Sequence, residues 1–194
     1  MKRFVRELMP VVVFLLSFLF GGVLVLSLVV LFEQSSNVQQ TVGLDLALPE
    51  SRLPTLPPSE SGQKYSMRGA FKGPAVVNFW ASWCHPCAVE HSTLLRISQQ
   101  GVPIYGVLYQ DEMAAGSEFL RARGSPFEKV LVDNQGVGVE IGITGIPETL
   151  VIDAQGIIRG RWTGALDEET WEQQMRPLYL SLKSDKSDKS DPVF

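Results

Sequence analysis

The sequence predicts an α/β fold: a central mixed sheet flanked by helices, preceded by one N-terminal transmembrane helix. Three observations predict it. Apolar runs of strand length alternate with longer segments of helical period between Ala75 and Val132. Two more strand-like runs, Thr149–Asp153 and Ile157–Thr163, are joined by Ala154-Gln155-Gly156. Leu8–Phe32 carries no charge. Strands separated by helices run parallel through crossovers, and strands joined by a tight turn run antiparallel, so the sheet is mixed.

The anchor comes first. A helix over Leu8–Phe32 would be ~37 Å long at ~1.5 Å per residue, enough to span a ~30 Å hydrocarbon core with tilt. Lys2, Arg3 and Arg6 precede it and Glu33 follows. By the positive-inside rule residues 1–7 stay cytoplasmic and everything after Phe32 is exported. A buried soluble helix would need a polar stripe, which this run lacks. A cleaved signal peptide would have a shorter core and a small-x-small site, and Glu33-Gln34-Ser35-Ser36 is a poor one. The first cysteine is Cys84, so no lipidation cysteine lies at the membrane boundary.

Residues 33–62 are rich in Ser, Pro and Gln and read as a tether leading into one irregular edge strand. A domain over 63–182 follows. Gln63–Met67 is a short strand, and Ala75–Trp80 is an apolar run typical of a strand covered on both faces. A helix over Cys84–Gln99 ends at Gly101. Val102–Tyr109 is a second buried strand. Asp111 or Glu112 caps a helix with Ala115, Phe119 and Leu120 on one face, stopping before Gly124. Lys129–Val132 is a third strand, and the hairpin adds an antiparallel edge. Asp167 caps the last helix, whose apolar face is Trp171, Met175, Leu178 and Leu182, and Pro177 should kink it. Residues 183–194 begin with three KSD repeats, polar and charge-balanced, and are expected to be disordered.

A net charge of -4, without a basic stripe or a phosphate-binding glycine loop, excludes a nucleic-acid binder. Reactive residues are scarce and crowded. Both cysteines and both histidines of the chain fall between Cys84 and His91.

Cys84-His85-Pro86-Cys87 follows a buried strand and opens a helix. The helix amino terminus carries partial positive charge and free N–H groups, which stabilise a thiolate at Cys84, the expected nucleophile. Cys87, one turn further in and more buried, is placed to resolve a mixed disulfide. Pro86 lacks an N–H, which costs little in a first turn. On the exported, oxidising side such a pair can cycle through a Cys84–Cys87 disulfide. Other readings are weaker. A structural disulfide across three residues closes almost no loop. A zinc or copper site would have only Cys84, Cys87 and His91 as ligands. Covalent haem attachment needs His where Ala88 stands. No metal and no cofactor are expected.

Asn78-Phe79-Trp80-Ala81-Ser82-Trp83-Cys84-His85-Pro86-Cys87 resembles the active-site segment of the thioredoxin superfamily, and Gly145-Ile146-Pro147-Glu148-Thr149 resembles its cis-proline loop. Ala88-Val89-Glu90-His91 and Pro147-Glu148-Thr149-Leu150-Val151-Ile152-Asp153 narrow the likeness to the DsbE/CcmG thiol:disulfide interchange proteins of cytochrome c maturation. The resemblance runs from about Ala75 to Leu178. It implies a thioredoxin-like fold with a cis peptide before Pro147, in a periplasmic domain on a bacterial inner membrane. It implies a reductant of the haem-binding cysteines of apocytochrome c or of cytochrome c maturation thiol proteins, and a DsbD- or CcdA-like membrane protein as electron donor.

The neighbours refine the chemistry. Ordinary thioredoxins carry a buried Asp where this chain has Asn78, so Glu90 and Glu148 are candidate replacements. Glu90 is three residues after Cys87, a spacing at which side chains meet on a helix surface. Negative charge near the cysteines disfavours thiolate and makes the couple more reducing. The bland alternatives are a solvated helix face for Glu90 and a solvated loop for Glu148. His85 departs from the family pattern and, as imidazolium, would oppose the acids. Trp83 is a candidate docking surface and Ile146 a candidate backbone for pairing with substrate. His91 is expected to be structural, and Trp80 and Phe79 to be core. Other functions stay open: a general envelope thiol reductase, a tethered Cys/His metal chaperone, and a holdase for unfolded apocytochrome.

Overall fold

The computed structural model describes residues 20–23, 26–27, 41–57 and 63–188. The chain forms two units, Met1–Val38 and Gln39–Phe194. In the first, residues 20–23 and 26–27 are helical. The rest of the expected anchor, Leu8–Phe32, lies outside the described residues, as do 1–7. Among the described residues no helix is long and apolar enough to cross a membrane.

The second unit is a thioredoxin-like α/β fold. Its elements are β1 (Thr41–Ala47), β2 (Arg52–Pro54), β3 (Lys64–Ser66), α1 (Met67–Ala70), β4 (Ala75–Trp80), α2 (His85–Gln99), β5 (Ile104–Tyr109), α3 (Met113–Arg123), β6 (Lys129–Asp133), a 3-10 turn (Val137–Ile141), β7 (Glu148–Ile152), β8 (Ile157–Thr163), α4 (Glu168–Thr170), a π turn (Trp171–Met175) and α5 (Arg176–Asp188). Six strands form one sheet in the order β1-β8-β7-β4-β5-β6. β4, β5 and β6 run parallel, and β7, β8 and β1 add on antiparallel. β4 and β5 are buried at every residue, which is why both appear in the sequence as unbroken apolar runs.

Two expectations need correction here. The hairpin β7–β8 is not an edge: β7 pairs with the central β4, and β1 closes the sheet beyond β8. The stretch read as a tether with one edge strand therefore supplies two strands, since β2 also pairs with β3. Leu48, Leu53 and Leu56 are buried behind them. Beyond β2, Thr55 bridges Leu131, and the Leu56 N–H donates to the Val130 carbonyl, so this segment covers the β6 edge.

Core residues lie on both faces of the sheet. On one, Phe71, Val77, Phe79, Tyr105, Leu150 and Ile152 pack together. On the other, Val76, Leu94, Ile97, Trp162 and Trp171 lie beneath the helices. Gly160 in β8 lets the last helix sit close, because a Cβ there would stand 2.4 Å from Leu178 Cδ2.

The last helix runs unbroken from Glu168 to Asp188 with Pro177 inside it, and it differs from expectation in where it ends. Pro177 falls in the first turn of α5, directly after the π turn, whose Arg176 N–H reaches back to the Trp171 carbonyl. The change of helical pitch absorbs a proline that would otherwise break an i→i−4 ladder. α5 also runs on through part of the KSD repeat to Asp188 rather than ending at residue 182. Extending an existing helix adds a hydrogen bond for each residue fixed, so polar residues can continue it without packing. Residues 189–194 lie outside the described residues.

Candidate active site

Cys84 is the N-cap of α2 and is bonded to Cys87. The Cys87 N–H donates to Cys84 Sγ at 3.2 Å, so a sulfur takes the capping role that a Ser or Asp oxygen usually fills. Both sulfurs belong to an apolar cluster with Trp80, Ala81 and Leu108, and Ile146 packs against it. His85 and Pro86 are exposed. In the disulfide form Cys84 and Cys87 are almost equally buried, at 4% and 2% exposure. The expected difference in exposure between them is therefore absent. What distinguishes Cys84 is its place at the helix end.

The Ile146–Pro147 peptide is cis, and so is Gly73–Pro74, which gave no signal in the sequence. Trp83 is 62% exposed beside the disulfide segment, its indole N–H donating to the Gln110 carbonyl at 3.2 Å. Phe79 and Trp80 are core. His91 is buried, its Nε2 2.9 Å from the Gly124 carbonyl and its ring edge-on to Phe119. Burial pulls the His91 pKa down, and His91 has the structural setting expected for it.

Neither acid has the solvated setting that was the bland alternative for it. Glu90 is on the buried face of α2, the face that also carries Cys87, with 1% exposure. Its Oε1 accepts from Asn78 Nδ2 at 2.9 Å and its Oε2 from the Leu166 N–H at 2.8 Å. Asn78 Nδ2 also donates to Thr149 Oγ1 at 3.1 Å. Burial pushes the Glu90 carboxyl up to about 7, against the pull of these two donors. Glu148 is the first residue of β7 and not part of a solvated loop. It is 2% exposed and lies 3.0 Å from Arg161 Nε, off the line of a good hydrogen bond but within ion-pair distance. Burial raises its pKa and the Arg161 charge opposes the rise.

Strand register separates the pair. Asn78 lies opposite Thr149 and Phe79 opposite Glu148, so side chains that alternate along β4 and β7 put Glu90's partners on one face and Glu148 on the other. Arg161 lies opposite Leu150, diagonal to Glu148, and also donates to the carbonyls of Gly142 and Ile141. Arg161, Thr149 and the Leu166 N–H were missed by sequence reasoning. The one available signal was the strand alternation that puts Arg161 on the Glu148 face.

A bonded cysteine pair capping a helix in a thioredoxin-like mixed sheet, next to a cis proline, defines a disulfide oxidoreductase domain. The Redoxin family model matches residues 44–175. Over 110 residues the chain is 44% identical to thiol:disulfide interchange protein DsbE of Pseudomonas aeruginosa, covering 56% of this chain and 61% of that protein. The match thus spans under two thirds of that relative's length. Over 177 residues it is 32% identical to DsbE of Yersinia pestis, covering 88% and 89%. The solved structure of MTB dsbF superposes with a TM-score of 0.57 at 25% identity, over 71% of this chain and 99% of that one. The chain belongs to the Redoxin family, within its DsbE/CcmG-type thiol:disulfide interchange proteins.

Proposed function

We propose that the chain is a membrane-anchored reductant that transfers electrons from its dithiol to disulfides of apocytochrome c, or of the thiol proteins that handle it. The observation that carries this reading is a buried redox disulfide, with two buried carboxylates, Glu90 and Glu148, on α2 and β7. In the reaction the Cys84 thiolate attacks a substrate disulfide, forming a mixed disulfide and releasing one substrate thiolate. Cys87 then loses its proton and attacks Cys84 Sγ. The second substrate sulfur leaves, and two electrons have passed from the protein to the substrate. The Cys84–Cys87 disulfide is the product, which a DsbD- or CcdA-like membrane donor reduces again.

Glu90, buried and three residues past Cys87 on α2, is the group to take the Cys87 proton. Ile146 and Pro147 present backbone for strand-like pairing with the substrate segment, and Trp83 offers an exposed docking face. Asn78 orients Glu90, and Pro86 sets the first turn of α2. His85, exposed at the helix head, works against the acids. Leu8–Phe32 supplies the single-pass anchor that keeps the catalytic domain on the periplasmic side of a bacterial inner membrane.

The test is a Cys87→Ser variant of the full chain, expressed in cells that make c-type cytochromes. A mixed disulfide at Cys84 to an apocytochrome or a maturation thiol protein is the expected product. Trapping only unrelated envelope proteins would replace this assignment with a general thiol reductase.

A further inference from the structure

The turn between β8 and α4 holds two parts of the site at once. At its start the Gly164 N–H donates to the Pro147 carbonyl at 2.9 Å, and two residues later the Leu166 N–H donates to Glu90 Oε2 at 2.8 Å. A second route joins the same partners inside the sheet. Asn78 Nδ2 bonds both Glu90 Oε1 and Thr149 Oγ1, and Thr149 stands two residues after Pro147. Glu90 and the cis-proline loop therefore sit on one closed ring of hydrogen bonds and main chain.

The two sides of that ring differ in freedom. Asn78 and Thr149 lie on β4 and β7, strands paired along both edges. Residues 164–166 belong to no helix or strand. Gly164 has φ 100, and a Cβ there would meet nothing within 4 Å, so the turn has room to swing. The head of α4 is held independently, because Asp167 Oδ1 accepts from the Thr170 N–H. Leu166 is 1% exposed and packs in the cluster of Val76 and Trp171, so the open form of the turn is a minor one.

Glu90 supplies a charge to which the turn responds. A carboxylate makes a stronger bond to the Leu166 N–H than a neutral carboxyl does. Its burial nevertheless costs more than the donors return, which is why its pKa stands at about 7 rather than 4.5. Lifting Leu166 admits water to the carboxyl and relieves that cost only while the group is charged. By linkage, a proton on Glu90 favours the closed turn and its loss favours the open one.

We propose that Gly164–Leu166 is a proton-gated latch on the cis-proline loop: closed over a protonated Glu90 it grips the Pro147 carbonyl, and it lets go when Glu90 is a carboxylate. Its use rests on the exchange reading above. When Glu90 takes the Cys87 proton, the turn closes and Gly164 reclaims the Pro147 carbonyl, which loosens the substrate segment paired alongside. Arrival of the proton thus times the release of the reduced substrate.

The experiment is amide hydrogen exchange, followed by NMR, on the full-length chain in detergent and in its disulfide form, where neither cysteine titrates. The other ionisable groups around Glu90 are His85 and His91 on α2, Asp167 after Leu166, and Glu168 in its ion pair with Arg96. On this face β4, β7 and β8 carry the uncharged Asn78, Thr149 and Trp162. Burial lowers the pKa of His91, and the Thr170 N–H lowers that of Asp167, so both titrate below Glu90. Once each intrinsic rate is divided out, Gly164 and Leu166 should exchange through local opening, with less protection than Val107 in the middle of β5. Their protection should fall together, roughly tenfold from pH 5 to pH 9, as a difference of about one unit between the closed and open pKa values of Glu90 requires. Glu90→Gln should abolish the fall at both amides. Protection at Gly164 that stays level or rises with pH overturns the proposal, and so does a fall that survives in Glu90→Gln. Gly164 as protected as Val107 overturns it too, because the turn then opens only with the whole fold. If Glu90→Gln does not fold, the pH series on the parent decides alone. Exchange of a disulfide with glutathione is a separate measurement, and its failure in the parent would refute the exchange reading, not the latch.

Discussion

Glu90 and Glu148 are solvent-shielded carboxylates on opposite faces of one sheet, and of the two only Glu148 has a cation. Glu148 is framed by Arg161, so its charge is largely cancelled within 3.0 Å. Glu90 is framed by an amide and a backbone N–H, which donate without carrying charge. Burial raises both pKa values, but only Glu90 is brought up to about 7. The same residue type, shielded from solvent in both places, becomes an ion pair on one face and a titrating group on the other. Depth and partner act together: Glu90 lies deeper and has no cation to offset its burial.

The largest expected effect comes from removing the cation. Arg161→Met leaves Glu148 buried without a counter-charge and strips donors from the Ile141 and Gly142 carbonyls. It should cost about 3–5 kcal/mol of stability at pH 8 in denaturant unfolding. The deficit should shrink toward pH 4, because a protonated Glu148 needs no cation. A deficit equal at both pH values would show that the ion pair is not what Arg161 contributes.

Glu90 should have the opposite signature. Its folded-state pKa of about 7 lies above the ordinary 4.5, so the folded chain binds a proton that the unfolded chain releases between those values. The parent should therefore lose stability as pH rises from about 4.5 to about 7, by on the order of 3 kcal/mol. Glu90→Gln should flatten that slope. A slope that survives the substitution would place the titrating group elsewhere.

Asn78→Ala sharpens the contrast further. It removes a donor that favours the Glu90 carboxylate, so the carboxyl midpoint, followed by carbon-13 NMR, should move above that of the parent. About 2 kcal/mol of stability should be lost at pH 8, the scale of a hydrogen bond to a charged group. A midpoint that falls instead would contradict the role given to the amide.

The smallest effect is expected for Glu148→Gln on the redox couple. Because Arg161 already neutralises the carboxylate, the shift should be toward oxidising and no more than about 10 mV in a glutathione titration, where ~30 mV corresponds to ~1.4 kcal/mol. A shift toward reducing would overturn the view that acids near this site disfavour thiolate.

What the sequence revealed was what is local. Cys84, Cys87 and Pro147 stand in short patterns whose geometry follows from a strand end, a helix start and a turn. β4 and β5 are visible because a strand buried on both faces is apolar throughout. Thr41–Ala47 was overlooked because it lies in a Ser-, Pro- and Gln-rich stretch and owes its strand state to β8, more than a hundred residues away. The 3-10 turn at Val137–Ile141 is too short for a period and is held from outside, by Asp133 oxygens that accept from Val137 and Gly138. Alternation along β8 hints at the face of Arg161, but the register that brings it to Glu148 and the loop packing that brings Leu166 to Glu90 are not encoded in any spacing.

The Leu166 N–H has a use beyond packing. It sits 2.8 Å from Glu90 Oε2, at the approach to α4, 76 positions from the residue it serves. A proton arriving on that carboxyl weakens the acceptor and lengthens the bond, so the amide resonance should travel with the carboxyl's state. One backbone signal in a nitrogen-15 spectrum thereby becomes a gauge for a proton on a buried carboxyl of the active-site helix, readable during turnover without any label at the cysteines.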